Sequence, residues 1–194
     1  TLGTFIVLAR NRTGYAQLCQ LITIARNRCK KGHYQVSLDD FIGTLDDCLL
    51  LWRPANTELT ATIARLQEAF PQRLWFAYSR HYGANDANNY MRYQQLSATY
   101  QVPVAAVCEV CYHAPQRQPL HDILVAIRQR QPLSTQVAQL KPNQDYCLRS
   151  ASQLMQCYPH SWLAQSAAIA QQCCFCLSEL RYDYPAELVP EGQT

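Results

Sequence analysis

The stretch Leu74-Trp-Phe-Ala-Tyr-Ser79 is a short apolar run rich in aromatic side chains, and it is followed at once by Arg80 and His81. Runs of this length and composition are typical of buried β-strands. The stretch therefore predicts a strand that ends next to two basic side chains. Three similar runs predict further strands, at residues 4–9, 48–52 and 102–107.

Segments with helical periodicity separate these four runs. They predict helices from Gly14 to about Arg28, over residues 59–70, and from Asn85 or Asp86 to about Tyr100. Alternating strands and helices are typical of parallel βαβ units, with helices packed outside a sheet or barrel. The predicted fold class is therefore α/β. Beyond Tyr112 only helices are predicted, around residues 120–127, from Ser150, and from Ser161 to about Cys174.

Charge and hydropathy exclude several classes of protein. The 17 Lys and Arg residues barely exceed the 14 Asp and Glu residues, and a net charge of +3 predicts no strong non-specific binding of nucleic acid by this segment alone. The sequence contains no run of about 18 apolar residues, so no membrane-spanning helix is predicted. No secretion signal is visible either. Because the first residue is Thr rather than Met, we interpret the chain as a piece of a longer protein.

The chain contains ten cysteines, and several of them fall on apolar faces of predicted helices, where a thiol behaves as a small apolar group. We therefore expect reduced thiols in a cytoplasmic protein rather than a disulfide scaffold. Cys108 and Cys111 form one C-x-x-C pair, and Cys173 and Cys176 form a second pair that is expected within a helix. The two pairs lie too far apart in sequence for a zinc ribbon.

Candidate ligands for a metal follow two neighbouring predicted strands. His81 follows the third strand, and the fourth runs into Cys108-Glu-Val-Cys-Tyr-His113. In an extended chain Glu109 and Cys111 would face the same side, and a right-handed crossover would bring His81 to the same rim. Imidazole, carboxylate and thiolate all bind zinc-like ions. The alternative is a solvated histidine, a surface glutamate and a packed cysteine. No Gly-rich phosphate loop, nucleophile elbow or closely spaced aspartate set is present.

Several short strings occur together in the order and spacing of one protein family. They resemble the bacterial C-family DNA polymerases, the group of the DNA polymerase III alpha subunit. They are most similar to the error-prone branch used in damage-induced translesion synthesis, above all in the last string and in residues 189–194. The strings lie at residues 8–18, 31–34, 79–83, 107–113, 120–124 and 180–185.

The resemblance implies that the chain is the C-terminal part of a polymerase and histidinol phosphatase (PHP) domain. This domain is a distorted (β/α)7 barrel, of which the chain would hold about the last four strands. Residues 1–127 would belong to the barrel, residues 128–180 to a helical segment, and residues 181–194 to a connector toward the polymerase palm. The family's catalytic aspartates lie in that palm, so no catalytic residue is assigned to this segment.

The resemblance also implies a metal site. His81 matches the family's histidine after a barrel strand, Glu109 stands where the family usually has aspartate, and Cys111 stands where it usually has histidine. Both replacements can still bind Zn or Mn, but two departures at ligand positions imply a weak or absent metal. His113 is expected to support the ligands or to lie on the plain surface.

For the parent polymerase the resemblance implies DNA, deoxynucleoside triphosphates (dNTPs) and Mg, with translesion accessory proteins and a sliding clamp as further partners. It implies a cytoplasmic protein and no membrane partner. Three alternatives stay open. They are a fragment of the replicative alpha subunit, a stand-alone metal-dependent phosphoesterase of the PHP type, and an interaction module that docks a partner through an exposed apolar patch.

Overall fold

The computed structural model describes residues 2–55 and 59–181, which contain four strands and six α-helices. The strands are β1 (Gly3–Ala9), β2 (Cys48–Pro54), β3 (Leu74–Tyr78) and β4 (Val104–Ala106). The helices are α1 (Arg12–Asn27), α2 (Thr60–Ala69), α3 (Asp86–Tyr100), α4 (Gln118–Gln129), α5 (Ala151–Cys157) and α6 (His160–Gln172). None of the described helices is long and apolar enough to cross a membrane.

The strands form one mixed sheet in the order β1-β2-β3-β4. β2, β3 and β4 are parallel to one another, as their intervening helices predict. β1 is antiparallel to β2, with Ala9 beside Cys48 and Gly3 beside Pro54. The α/β class is therefore confirmed, but the prediction of parallel βαβ units is wrong for the first connection.

The first connection returns to the end of the sheet that it left. α1 carries the chain away from β1, and residues 28–47 bring it back, so that the Arg10 amide donates to the Asp47 carbonyl at 3.0 Å. The Asn11 side-chain amide also donates to the Asp47 carboxylate at 2.8 Å. α1 approaches this junction so closely that a Cβ atom on Gly14 would lie 2.2 Å from the Asp47 carbonyl oxygen. A chain that returns to its starting end can pair only antiparallel.

The central strands of the sheet, β2 and β3, are buried on both faces, whereas the residues of β1 are exposed or half-buried. Leu50 and Trp52 of β2 contribute to the larger core, which α2 and α3 cover, while Leu49 and Leu51 contribute to a second core on the opposite face. β3 is also buried along its whole length. Strands buried on both faces read as continuous apolar runs, which explains why the sequence predicts them well. This packing fixes the carboxyl ends of β2, β3 and β4.

α6 lies along β4 and contacts both cores, through Trp162 on one face and Ile169 on the other. The Ser166 hydroxyl donates to the Ala106 carbonyl at 2.7 Å. The helix ends at Gln172, so the prediction that the second C-x-x-C pair lies within a helix is wrong. The chain leaves the helix there because the Cys174 amide donates to the Arg10 carbonyl at 2.8 Å. The ten cysteines, all within the described residues, form no disulfide in this structure.

The predicted domain boundaries stay predictions. The boundary after residue 127 falls two residues before the end of α4. Residues 182–194 of the predicted connector lie outside the described residues.

Candidate functional site

The carboxyl ends of the three parallel strands bring together the side chains that form the candidate site. Arg53 lies near the end of β2, His81 lies three residues beyond β3, and Glu109 lies three residues beyond β4. The Nε2 atom of His81 is 3.9 Å from the Oε2 atom of Glu109. The structure therefore places His81 and Glu109 on one rim, as the right-handed crossover predicts.

Two cationic side chains hold the Glu109 carboxylate. The Arg53 guanidinium donates to Oε2 at 2.9 Å, and the Lys141 ammonium donates to Oε1 at 2.7 Å. Arg53 is itself oriented by a second hydrogen bond, to the Ser79 hydroxyl at 2.8 Å. Partial burial raises the pKa of Glu109, but the hydrogen bonds from Lys141 and Arg53 outweigh it and leave the pKa below its ordinary value. The carboxylate is therefore ionised at neutral pH, and the two neighbouring cations balance its negative charge.

The loop before α5 folds over His81. The Tyr146 ring stacks on the His81 ring with centroids 3.8 Å apart and an angle of 8° between the planes. The Asn143 side-chain amide donates to the His81 carbonyl at 2.6 Å. Burial lowers the pKa of His81, and the nearby Glu109 charge opposes this effect only in part. The ring is therefore neutral at pH 7, as a metal ligand would need to be.

Cys111 lies beyond the strand that was expected to orient it. Because β4 ends at Ala106, the alternation of an extended chain does not apply at Glu109 and Cys111. The Cys111 amide donates to the Tyr146 carbonyl at 2.8 Å. Cys111 also lines a depression of about 250 Å³ together with His113 and the residues of α4 that face it.

The described residues contain no cluster of three or more His, Cys, Asp and Glu side chains that could hold a metal ion. His81 and Glu109 supply two suitable donors, but a metal ion beside Glu109 would have to compete with Arg53 and Lys141 for both carboxylate oxygens. This arrangement disfavours tight metal binding. The assignment of His81, Glu109 and Cys111 as ligands, with His113 in support, stays a prediction.

Sequence reasoning missed Arg53, Lys141 and Tyr146 as parts of this site. Arg53 could have been found by the rule that selects His81, because it also stands at the carboxyl end of a predicted strand. Lys141 and Tyr146 belong to an irregular loop between α4 and α5. No periodicity or spacing in the sequence indicates that this loop returns to the strand ends.

Comparison with known proteins identifies relatives that match nearly the whole chain. An error-prone DNA polymerase of Idiomarina loihiensis is 46% identical over 194 residues, which are 99% of this chain and 19% of that protein. Error-prone DNA polymerases of Vibrio vulnificus and Teredinibacter turnerae are 40% and 37% identical, over 98% and 96% of the chain. No protein-family model matches the chain. The predicted resemblance is confirmed, and the chain spans about a fifth of the length of these relatives.

Proposed function

We propose that the chain is one segment of an error-prone DNA polymerase, and that the parent protein transfers nucleotides from dNTPs to a DNA primer, in part past damaged bases. The observation that carries this proposal is 46% identity over 99% of the chain to a protein of that name. The relatives' names favour the error-prone branch over the replicative alpha subunit. A stand-alone phosphoesterase is less favoured, because Glu109 and Cys111 depart from the family's usual ligands and because Arg53 and Lys141 already hold the Glu109 carboxylate.

Within the parent protein, the segment's proposed role is structural rather than catalytic. It would form part of a PHP barrel, with residues 1–127 in the barrel and residues 128–180 beside it. The ion pairs of Glu109 with Arg53 and Lys141 support this role, because they tie the ends of β2 and β4 to the loop before α5. Mg would support nucleotidyl transfer at carboxylates outside this segment.

Residual metal binding at His81, Glu109 and Cys111 is proposed to be weak. A divalent cation gains the Glu109 carboxylate only by displacing Lys141 or Arg53, and the remaining cation then repels it. Titration of the chain with Zn or Mn, followed by calorimetry, should show weak or substoichiometric binding. Replacement of Lys141 by Met should strengthen that binding. Tight stoichiometric Zn that is lost in a His81→Ala variant would overturn the proposal of a weak site.

Primer extension tests the proposed function. The full-length protein should extend a primer on an undamaged template and on a template with an abasic site, with Mg and dNTPs present. The 194-residue chain should add no nucleotide. Incorporation by the chain alone would contradict the structural role, and the absence of extension by the full-length protein would contradict the polymerase assignment. Accessory proteins, a sliding clamp and a cytoplasmic location stay predictions for the parent protein.

A further inference from the structure

One face of α4 is apolar and uncovered in the described part of the chain. Leu120, Ile123, Leu124 and Ile127 recur at the spacing of a single helical face and are 48%, 50%, 56% and 66% exposed. α4 contains no buried residue, whereas α2 and α3 each bury at least one side chain in the core. Exposed apolar side chains that are contiguous on one helix face point to a site of interaction rather than to ordinary surface.

Two shallow, open depressions lie on this face. The first, of about 440 Å³, lies between α4 and the turn after it and is lined by Ile123, Ile127 and Leu133 among others. The second is the depression of about 250 Å³ that contains Leu120 and Leu124 together with Cys111. Neither depression is lined by a carboxylate. Anchoring side chains of a partner typically fill such apolar hollows at the centre of an interface.

Basic side chains flank the apolar face. Arg117 lines the smaller depression, Arg130 lines the larger one, and Arg128 is exposed in the last turn of α4. In residues 2–55 and 59–181 these three arginines form no ion pair, although five other arginines do. A partner with apolar anchors between acidic side chains would complement both the hollows and the charge.

We propose that the apolar face of α4 is a docking surface for an acidic, amphipathic segment from the remainder of the same polymerase chain. This inference rests on the proposed function. The chain covers 19% of its relative from Idiomarina loihiensis, so about four fifths of that protein lies outside the match and is covalently available. A tethered segment has a high effective concentration at the surface, and a modest interface therefore suffices to keep it bound.

The test uses the full-length protein and hydrogen–deuterium exchange of the peptide that contains α4. The double variant Ile123→Asp/Ile127→Asp places two charges in the proposed interface. The matched control, Ile22→Asp/Met91→Asp, replaces apolar side chains of α1 and α3 that are 54% and 52% exposed. We expect the peptide to exchange at least about tenfold faster in the first variant, because docking is lost. In the control it should exchange at the rate of the unchanged protein.

A second variant keeps the experiment decisive if the first cannot be purified. Arg117→Glu/Arg128→Glu leaves the apolar face intact and should also accelerate exchange of α4, since it would repel an acidic segment. Exchange of α4 at the unchanged rate in both variants would overturn the proposal. A dimeric unchanged protein that becomes monomeric in the Ile123→Asp/Ile127→Asp variant would also overturn it, because a second copy would then be the occupant.

Primer extension by the unchanged full-length protein separates the two proposals. Extension together with unaltered exchange in the α4 variants contradicts the docking surface alone. Accelerated exchange without any extension contradicts the polymerase assignment and leaves an intramolecular docking surface in a protein of another activity.

Discussion

Glu109 illustrates how single side chains of this site contribute to stability. Replacement by Gln should lower the free energy of unfolding of the chain at pH 7 by about 1 kcal/mol, since partly exposed ion pairs are screened by solvent. Because the folded-state pKa of Glu109 is below its ordinary value of 4.5, its contribution is present above that pH and is lost as the pH falls through the folded-state pKa.

Urea unfolding of both proteins at a series of pH values measures this difference. The difference in free energy of unfolding between the unchanged chain and the Glu109→Gln variant should become smaller as the pH falls below 4.5. Glu68→Gln is the control, because Glu68 is exposed on α2 and forms none of the ion pairs found among the described residues. A difference in free energy of unfolding that stays constant over this pH range would show that Glu109 acts through packing rather than through charge.

The cysteines should differ strongly in reactivity. Burial raises the pKa of Cys48 to about 11, whereas hydrogen bonding to Ser178 lowers the pKa of the exposed Cys176. Because the thiolate is the reactive form, iodoacetamide at pH 7.5 should modify Cys176 early and Cys48 only on unfolding. Peptide mass spectrometry measures both rates, and Ser178→Ala should slow modification of Cys176. Equal rates of Cys176 modification in the unchanged chain and in Ser178→Ala would mean that the hydrogen bond does not affect the reactivity of the Cys176 thiol.

The sequence predicts some of the residues that meet at the candidate site, but it does not predict the rest. His81 and Glu109 could be placed together because parallel strands with right-handed crossovers have their carboxyl ends on one rim. Lys141 and Tyr146 reach the same rim from a loop whose path depends on contacts such as the bond from Asn143 to the His81 carbonyl. Such contacts form only after the sheet has folded, and they leave no periodic pattern in the sequence.

At the scale of elements, the junction between α1 and β2 should tolerate no added atom at Gly14. Ala normally favours a helix over Gly by about 1 kcal/mol, but here its Cβ would lie 2.2 Å from the Asp47 carbonyl oxygen. Gly14→Ala should therefore destabilise the chain by about 2 kcal/mol, as an overpacked core does. Urea unfolding measures the change.

Gly83→Ala is the matched control, since a Cβ atom there meets nothing within 4 Å. It should leave stability unchanged or raise it by about 0.5 kcal/mol, through the lower entropy of the unfolded chain. A Gly14→Ala variant as stable as this control would mean that α1 does not pack against the Asp47 carbonyl as described.

The sequence predicts the strands themselves, but it does not predict the direction in which β1 pairs with β2. The apolar runs predict all four strands, and the prediction is simplest for β2 and β3, which are buried on both faces. The antiparallel pairing of β1 depends instead on the return of residues 28–47 to Arg10. The one local signal in that segment, the capping sequence Ser37–Asp40, starts only a three-residue 3-10 helix, Leu38–Asp40. So short an element carries no information about the direction of the strand that follows. The parallel prediction failed for this reason.

At the scale of the whole molecule, burial is unevenly distributed. The sheet has a core on each face, and α6 joins the two cores through Trp162 and Ile169. α4 contributes no buried side chain to either core. A helix of this length is marginal without tertiary packing. The sheet and its two cores should therefore unfold together, whereas contacts with the rest of the described chain do little to stabilise α4.

Hydrogen–deuterium exchange of the 194-residue chain measures this difference. The amides of β2 and β3 should exchange slowest, because they open only in global unfolding, and those of α4 should exchange fastest among the helices of ten or more residues. α3 is the internal comparison, since it buries Tyr93 in the larger core. Protection of α4 equal to that of α3 in the isolated chain would contradict this distribution. It would also remove the reason for a covering segment, because a helix that is already stable alone does not need one.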